Sequence, residues 1–230
     1  MAKHTSEPAQ PGRRRSVKGP ETRMRLLVAA GEEFADRGFR DATIRDICRR
    51  ARANIAAVNY HFGDKANLYK EALQYAALDS AQRYPVPTVE DEAPAREQLR
   101  RFVAMYLERM LDEERPPWQG KLMFRELIEP SGLMDGLADK YLRPQFERLE
   151  RVIRRVVGPG PDAVSVRRAA YAVVAQCQFY KHARVAIAGL QPAVALDATG
   201  RRVLADAITD FSMAGLASLR GAAPGAGEGT

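Results

Sequence analysis

With 230 residues and 46% hydrophobic side chains, the chain can bury one large core or two smaller ones, and no apolar run approaches bilayer-spanning length. The formal charge of +7 is unevenly placed: residues 1–70 hold 15 Lys and Arg against 8 Asp and Glu, while the other 160 hold 21 of each. A basic head on a neutral body suits a polyanion partner met at one end, and it argues against a protein that coats nucleic acid along its whole surface. Residues 1–20 are rich in Pro, Gly, Ser and Arg and lack apolar periodicity, which predicts a disordered basic arm whose Arg13, Arg14, Arg15 and Lys18 either add phosphate or minor-groove contacts or form a merely solubilising tail. A first helix is expected over Glu21–Arg37, with Leu26, Ala30 and Phe34 inward, Gly38 as its C-cap and Phe39 folding back on it.

The stretch Thr43–Tyr69, TIRDICRRARANIAAVNYHFGDKANLY, carries the strongest local signal. Thr43 with Asp46 makes an N-cap signal, and Ile44, Ile47, Cys48 and Ala51 share one helical face. The pattern stops at Arg52-Ala53, where Asn54 caps a second helix that buries Val58 and Phe62. Gly63 ends it, and Asp64 caps a third helix running to about Arg83 with Leu68 and Ala72 inward. Two short helices joined by a tight turn are the unit that lays its second helix in the DNA major groove. With Val58 and Phe62 inward, Ala56, Ala57, Asn59 and Tyr60 face the groove. The alanines allow close approach and a thymine-methyl contact, Asn59 can read adenine, and Tyr60 or His61 can hold a phosphate. Thr43, Arg45 and Lys65 are placed for backbone phosphates, and Asn54 opens the recognition helix.

These residues resemble the helix-turn-helix of TetR-type transcriptional regulators, whose pattern closes here as Asn59-Tyr60-His61-Phe62-Gly63-Asp64-Lys65-Ala66-Asn67-Leu68. The run Asn54-Ile55-Ala56-Ala57-Val58 resembles a CecR-like subgroup more narrowly. One position departs from the family pattern: Arg52 stands where the turn usually has Gly, and a positive φ there would carry strain, so either the turn differs slightly here or the strain is tolerated for an extra cation beside the phosphates.

Beyond Arg83, Pro85, Pro87 and Pro94 mark a polar connection and a domain boundary. Leu99, Phe102, Val103, Tyr106 and Met110 form one stripe, and Pro116-Pro117 restarts the chain before a short helix containing Met123, Phe124 and Leu127. Pro130-Ser131-Gly132 breaks that helix. A helix over about Leu133–Val157 is expected next, kinked or interrupted at Pro144, then a turn at Gly158–Pro161 and two long helices over Asp162–Ala188 and Ala198–Leu219. No strand pattern appears. The expected fold is all-α, with an N-terminal three-helix helix-turn-helix DNA-binding domain joined to a helical ligand-binding and dimerisation domain. The boundaries are 1–20 for the arm, 21–83 for the head with its connecting helix, 84–220 for the body and 221–230 for a disordered tail.

The segment Trp118–Glu126 followed by Glu129-Pro130 resembles the CecR-like subgroup again, and the resemblance implies a small-molecule site in the body. Trp118, Met123 and Phe124 gather adaptable apolar surface. Within Ala169–Ala188, Tyr171–Val174 reads as core and is followed by a polar group with Gln178, Lys181 and His182. Trp118, Met123, Phe124, Gln178 and His182 are therefore the candidate ligand contacts, each with a core or solvated-face reading as its alternative; for His182 that alternative is a hydrogen-bonded structural role.

An enzyme is the competing class. Of three histidines, His4 lies in the arm and His61 on the recognition helix. No phosphate loop, nucleophile elbow or metal-spaced cluster is present, so no catalytic residue, metal or cofactor is expected. Cys48 and Cys177 read as buried thiols of a reducing compartment. The expectation is a cytoplasmic, ligand-responsive regulator, most simply a repressor. Its partners are a double-stranded palindromic operator, an unidentified small-molecule effector and a second copy of itself, with no membrane. A sequence-blind architectural DNA binder is the runner-up.

Overall fold

The structure, a computed structural model, describes residues 18–87, 92–133, 136, 138–190 and 192–220. The basic arm, apart from its last residues from Lys18 on, and the tail 221–230 lie outside the described residues. Among those described, all regular structure is helical: α1 (Lys18–Asp41), α2 (Ile44–Ala51), α3 (Ile55–Phe62), α4 (Lys65–Arg83), α5 (Ala95–Leu111), α6 (Pro117–Ile128), α7 (Arg143–Val157), α8 (Ala163–His182), α9 (Arg184–Ala188) and α10 (Ala198–Ala217).

Local chemistry sets most of these ends. Gly38 breaks α1 at φ 79°, and one further turn carries the chain to Asp41. Asp64, Asp162 and Asp197 each accept an N-capping bond, from Asn67, Ser165 and Gly200 respectively. Helix α1 begins at Lys18, so the last three residues of the expected disordered arm are helical. Two further boundaries differ from expectation. No helix begins at Leu133; a π-helical turn at Ala138–Leu142 leads into α7, whose first turn holds Pro144. Proline has no N–H to donate, and the segment is interrupted at Pro144 as expected: the π-helical turn ends at Leu142 and α7 takes over at Arg143. The helix expected over Asp162–Ala188 is broken at Ala183 into α8 and α9. No glycine or proline announces that break, so periodicity runs straight through it.

Two cores result. The first joins α1–α4: Leu26, Ala30 and Phe34 pack on Ile47, Val58, Phe62, Leu68 and Tyr69. The second joins Leu99, Val103 and Leu107 of α5 to Leu149 and Ile153 of α7, Val173 of α8 and Leu204 and Ile208 of α10. Helix α6 follows the proline-rich connection in sequence, yet its Trp118 and Leu122 belong to the first core. Gly31 makes this possible, because a Cβ there would overlap the Trp118 ring. Tyr171, expected in the core, is exposed on α8, whose buried face is Val166, Ala170, Val173 and Cys177.

Candidate DNA-binding head and ligand cavity

The head presents α2 and α3 on well-capped ends. Thr43 Oγ1 accepts from the Asp46 amide at 3.1 Å and donates to its carboxylate at 2.7 Å. That hydroxyl bond, with Arg49 and Arg37 beyond it, holds the Asp46 carboxyl below the usual carboxylate range. Arg52 takes the left-handed conformation, φ 50° and ψ 47°, while its N–H reaches back to Arg49 O and Ala53 N–H to Cys48 O. A non-glycine residue there costs on the order of 1 kcal/mol. The turn therefore keeps its geometry at some strain and gains an exposed guanidinium beside it. Asn54 then caps α3 by accepting from the Ala57 amide at 2.8 Å.

Along α3, Val58 and Phe62 are buried, and Asn59 and Tyr60 are exposed, Tyr60 to 84%. Ala56 is open to solvent. Ala57 is half-buried against the head core, so its reach into a groove is shorter than that of Ala56. His61 is half-buried, with Tyr60 edge-on to its ring at 4.9 Å. Lys65 is less free than its position suggests: its ammonium donates to Arg40 O at 3.1 Å and lies over the Phe39 ring. Arg50 is tied to Glu32, Glu33 and Asp36 of α1, where it clamps α2 in place. Arg45, at the start of α2, and Arg52, in the turn, are exposed. Arg52 is the head cation that the sequence flagged for strain and left out of the candidate contacts.

A cavity of about 380 Å³ lies between α4, α5, α6, the π-helical turn and the end of α8, within the usual range for small-molecule sites. Ala76, Ala77, Met110, Met123, Phe124 and Leu127 give it apolar walls. Gln178 donates to Tyr106 Oη at 3.0 Å and its carbonyl oxygen lies 3.0 Å from His182 Nε2; the His182 ring stacks on Phe124 at 3.6 Å. Burial, then Lys181, pulls the His182 pKa down. Four of the five candidate ligand residues thus meet at the cavity.

Trp118 does not line it. Its indole is buried in the head core, stacked on Tyr75 and pressed to Gly31, because it lies on the strip of α6 that turns away from the cavity. Sequence reasoning missed Arg109, Arg115, Tyr141 and Gln145, which come to the cavity from three separate segments with no local pattern to join them. Arg109 donates to Gln145 Oε1 and lies over the Tyr106 ring, while buried Arg115 donates to Gln119 Oε1 and Ala76 O.

Helix α6 connects the two regions. Gly120, Phe124 and Leu127 face the cavity, whereas Trp118, Leu122 and Glu126 face the head. The Tyr69 hydroxyl of α4 donates to the buried Glu126 carboxylate at 2.6 Å, and Ser131 donates to its other oxygen through both N–H and Oγ. Burial, then Glu126, raises the Tyr69 pKa, so the phenol keeps its proton. Lys121 pairs with Asp36 of α1 at 2.7 Å. Helix α4 also serves both regions, with Leu68 and Leu73 in the head core and Ala76, Ala77 and Ser80 on the cavity.

No helix among the described residues is long and apolar enough to cross a membrane. Residues 26–72 match the family model described as bacterial regulatory proteins, tetR family, and residues 95–216 match that of the C-terminal domain of the HTH-type transcriptional dual regulator CecR. The chain is 27% identical over 153 residues to the dual regulator CecR of Shigella flexneri, an alignment covering 62% of this chain and 68% of that protein. The crystal structure of a TetR-like transcriptional regulator from Rhodococcus sp. RHA1 superimposes with a TM-score of 0.63 at 18% identity, covering 85% of this chain and 96% of that one. AibR, solved in complex with isovaleryl coenzyme A and operator DNA, gives 0.60 at 16% identity over 83% and 97% of the two chains, so both likenesses concern the fold. The second family match spans more than half the chain and the first falls on the helix-turn-helix: the protein belongs to the TetR family of transcriptional regulators, in the CecR-like subgroup.

Proposed function

We propose that the protein is a ligand-responsive, sequence-specific regulator, most simply a repressor released from a palindromic operator when a small molecule fills its cavity. The observation that carries this reading is that α4 and α6 each contribute to both the cavity wall and the head core, so that occupancy of one bears on the placement of the other. Residues 21–83 form the DNA-binding unit, steadied by α6, and residues 84–220 form the effector and dimerisation unit. Asn59 and Ala56 read bases, with Ala57 behind them. Tyr60, His61, Thr43, Arg45 and Lys65 meet phosphates, and Asn54 fixes the angle of α3. Met123, Phe124, Gln178 and His182 meet the effector.

The working form is a homodimer in the cytoplasm, because one eight-residue recognition helix makes too few base contacts for tight specific binding. Exposed apolar residues on the last two long helices support a face between copies there: Val164, Tyr171 and Phe179 on α8, and Val203 and Phe211 on α10. Effector binding then favours a body conformation that takes the two heads out of register with successive major grooves, a coupling of about 1–3 kcal/mol.

Fluorescence anisotropy on the protein's own upstream DNA and on a scrambled duplex, at physiological salt, tests this reading. A preference of about 10³ or more is expected. Equal weak affinity for upstream and scrambled duplexes, persisting across a genomic-fragment selection, would replace the regulator with a sequence-blind DNA binder.

A further inference from the structure

The charged groups around the cavity are unevenly matched. Its carboxylate, Asp112, already accepts from the Tyr84 hydroxyl and from the Glu114 amide, and Lys121 is taken by Asp36. Arg109, Arg115 and Lys181 form no ion pair with a carboxylate among the described residues; Glu113, on the loop near Lys181, is paired with Arg184. Arg115 is only 7% exposed, and its guanidinium rests on two neutral oxygens, a costly arrangement for a buried charge.

The three cations also act on one another. Arg115 is pulled down by burial first and by Arg109 next, and Lys181 by burial and then by Arg184 and Arg115. The smaller opposing pulls come from Tyr84 and Asp79 on the first and from Glu113 and Asp112 on the second. Two lining groups are left without partners: Arg109 Nε and the Tyr141 hydroxyl are both buried and make no hydrogen bond. A guanidinium N–H can only donate, so what is missing beside it is an acceptor, and the neighbouring positive charge favours an acceptor that carries negative charge.

Building on the reading of this cavity as the effector site, we propose that its ligand is a small organic acid. An oxyanion head, carboxylate or phosphate, accepts from Arg109, Lys181 and Tyr141, and an apolar body lies against Met110, Met123 and Phe124. A neutral apolar molecule would leave the orphan donors unsatisfied. A cationic one would add a charge to a wall that already carries three unpaired ones.

Calorimetry on the full chain with octanoate, octyl phosphate, octanol and octyltrimethylammonium separates these cases. At least one acid is expected to bind about tenfold or more tightly than octanol, and the tighter of the two acids identifies the head group. Arg109→Gln and Lys181→Met should each weaken that acid about tenfold while leaving octanol unchanged. Both side chains are half-buried and outside the main core, and circular dichroism checks that the variants fold. Octanol matching both acids, tighter binding of the ammonium, or no acid binding at millimolar concentration would overturn the inference. Operator binding is read separately: acid binding without operator preference sinks the regulator reading alone, and operator preference with octanol equal to octanoate sinks this inference alone.

Discussion

Gly31→Ala sets two effects of opposite sign against each other at one residue. Position 31 lies inside α1, where replacing glycine by alanine is worth about 1 kcal/mol of helix propensity in favour of the variant. The new Cβ, however, would sit 2.6 Å from Trp118 Cη2 and closer still to the neighbouring ring atoms. Trp118 is 7% exposed and stacked on Tyr75, so the ring cannot give way without opening the head core. Overpacking of this kind costs about 1–3 kcal/mol, and an approach this close to a rigid ring falls at the upper end. The net expectation is a loss of about 2 kcal/mol, or about 4–8 °C in Tm for a chain of this size. Trp118 is the single tryptophan, so its emission reports the displacement directly and should shift to the red in the variant. Trp118→Leu should relieve the clash, and a double-mutant cycle should return a coupling of about 1 kcal/mol or more. A Gly31→Ala protein that is more stable than the parent, with unchanged emission, would mean that α6 is not seated on α1 as described.

On the head, Asn59→Ala is expected to weaken operator binding by about 1–3 kcal/mol and relax discrimination at one base pair, while Arg45→Ala weakens all sequences alike and lowers the salt slope by about one unit; anisotropy on single-base operator variants across a salt series checks both. Burial pushes the Cys177 thiol up to about 12, and Cys48 is raised by the same cause. The native protein at pH 8 should therefore resist a thiol-selective disulfide reagent at both positions and react with two equivalents once unfolded in urea, whereas rapid native labelling would contradict the burial.

The head was legible because each of its boundaries is written in a few adjacent residues. Thr43, Asn54, Gly63 and Asp64 cap or end helices through bonds to residues within four positions, and Val58 and Phe62 can only point one way once those ends are set. The turn at Arg52 was legible only as two alternatives, an altered turn or a strained one, and the structure takes the strained one at φ 50°. The body was harder, because its decisive facts join distant segments. Trp118 looks like a pocket aromatic beside Met123 and Phe124, and only the opening at Gly31, 87 positions earlier, turns it into the head core. Arg109 and Tyr141 become one site only when the π-helical turn and α5 are brought together. The break at Ala183 leaves no mark in the residues at all.

The two faces of α6 also limit how an effector can act, and Tyr69→Phe tests the limit. A coupling of 1–3 kcal/mol between effector and operator must come from contacts that differ between two placements of α6. Expelling Trp118 from the head core would cost about 3–5 kcal/mol, more than the coupling requires. The Tyr69–Glu126 bond is of the right size: a hydrogen bond to a buried carboxylate contributes about 1.5–3 kcal/mol, and Ser131 stays with Glu126 when the phenol leaves. A pivot of α6 about a fixed Trp118 that gives up the phenol bond satisfies both limits. Tyr69→Phe should then lower stability by about 1.5–3 kcal/mol in urea titrations and shrink the effector-induced loss of operator affinity, with the Trp118 emission unchanged on ligand addition. An emission shift on ligand binding, or full coupling in the Tyr69→Phe protein, would move the hinge away from Glu126 and leave α4 alone to carry the signal.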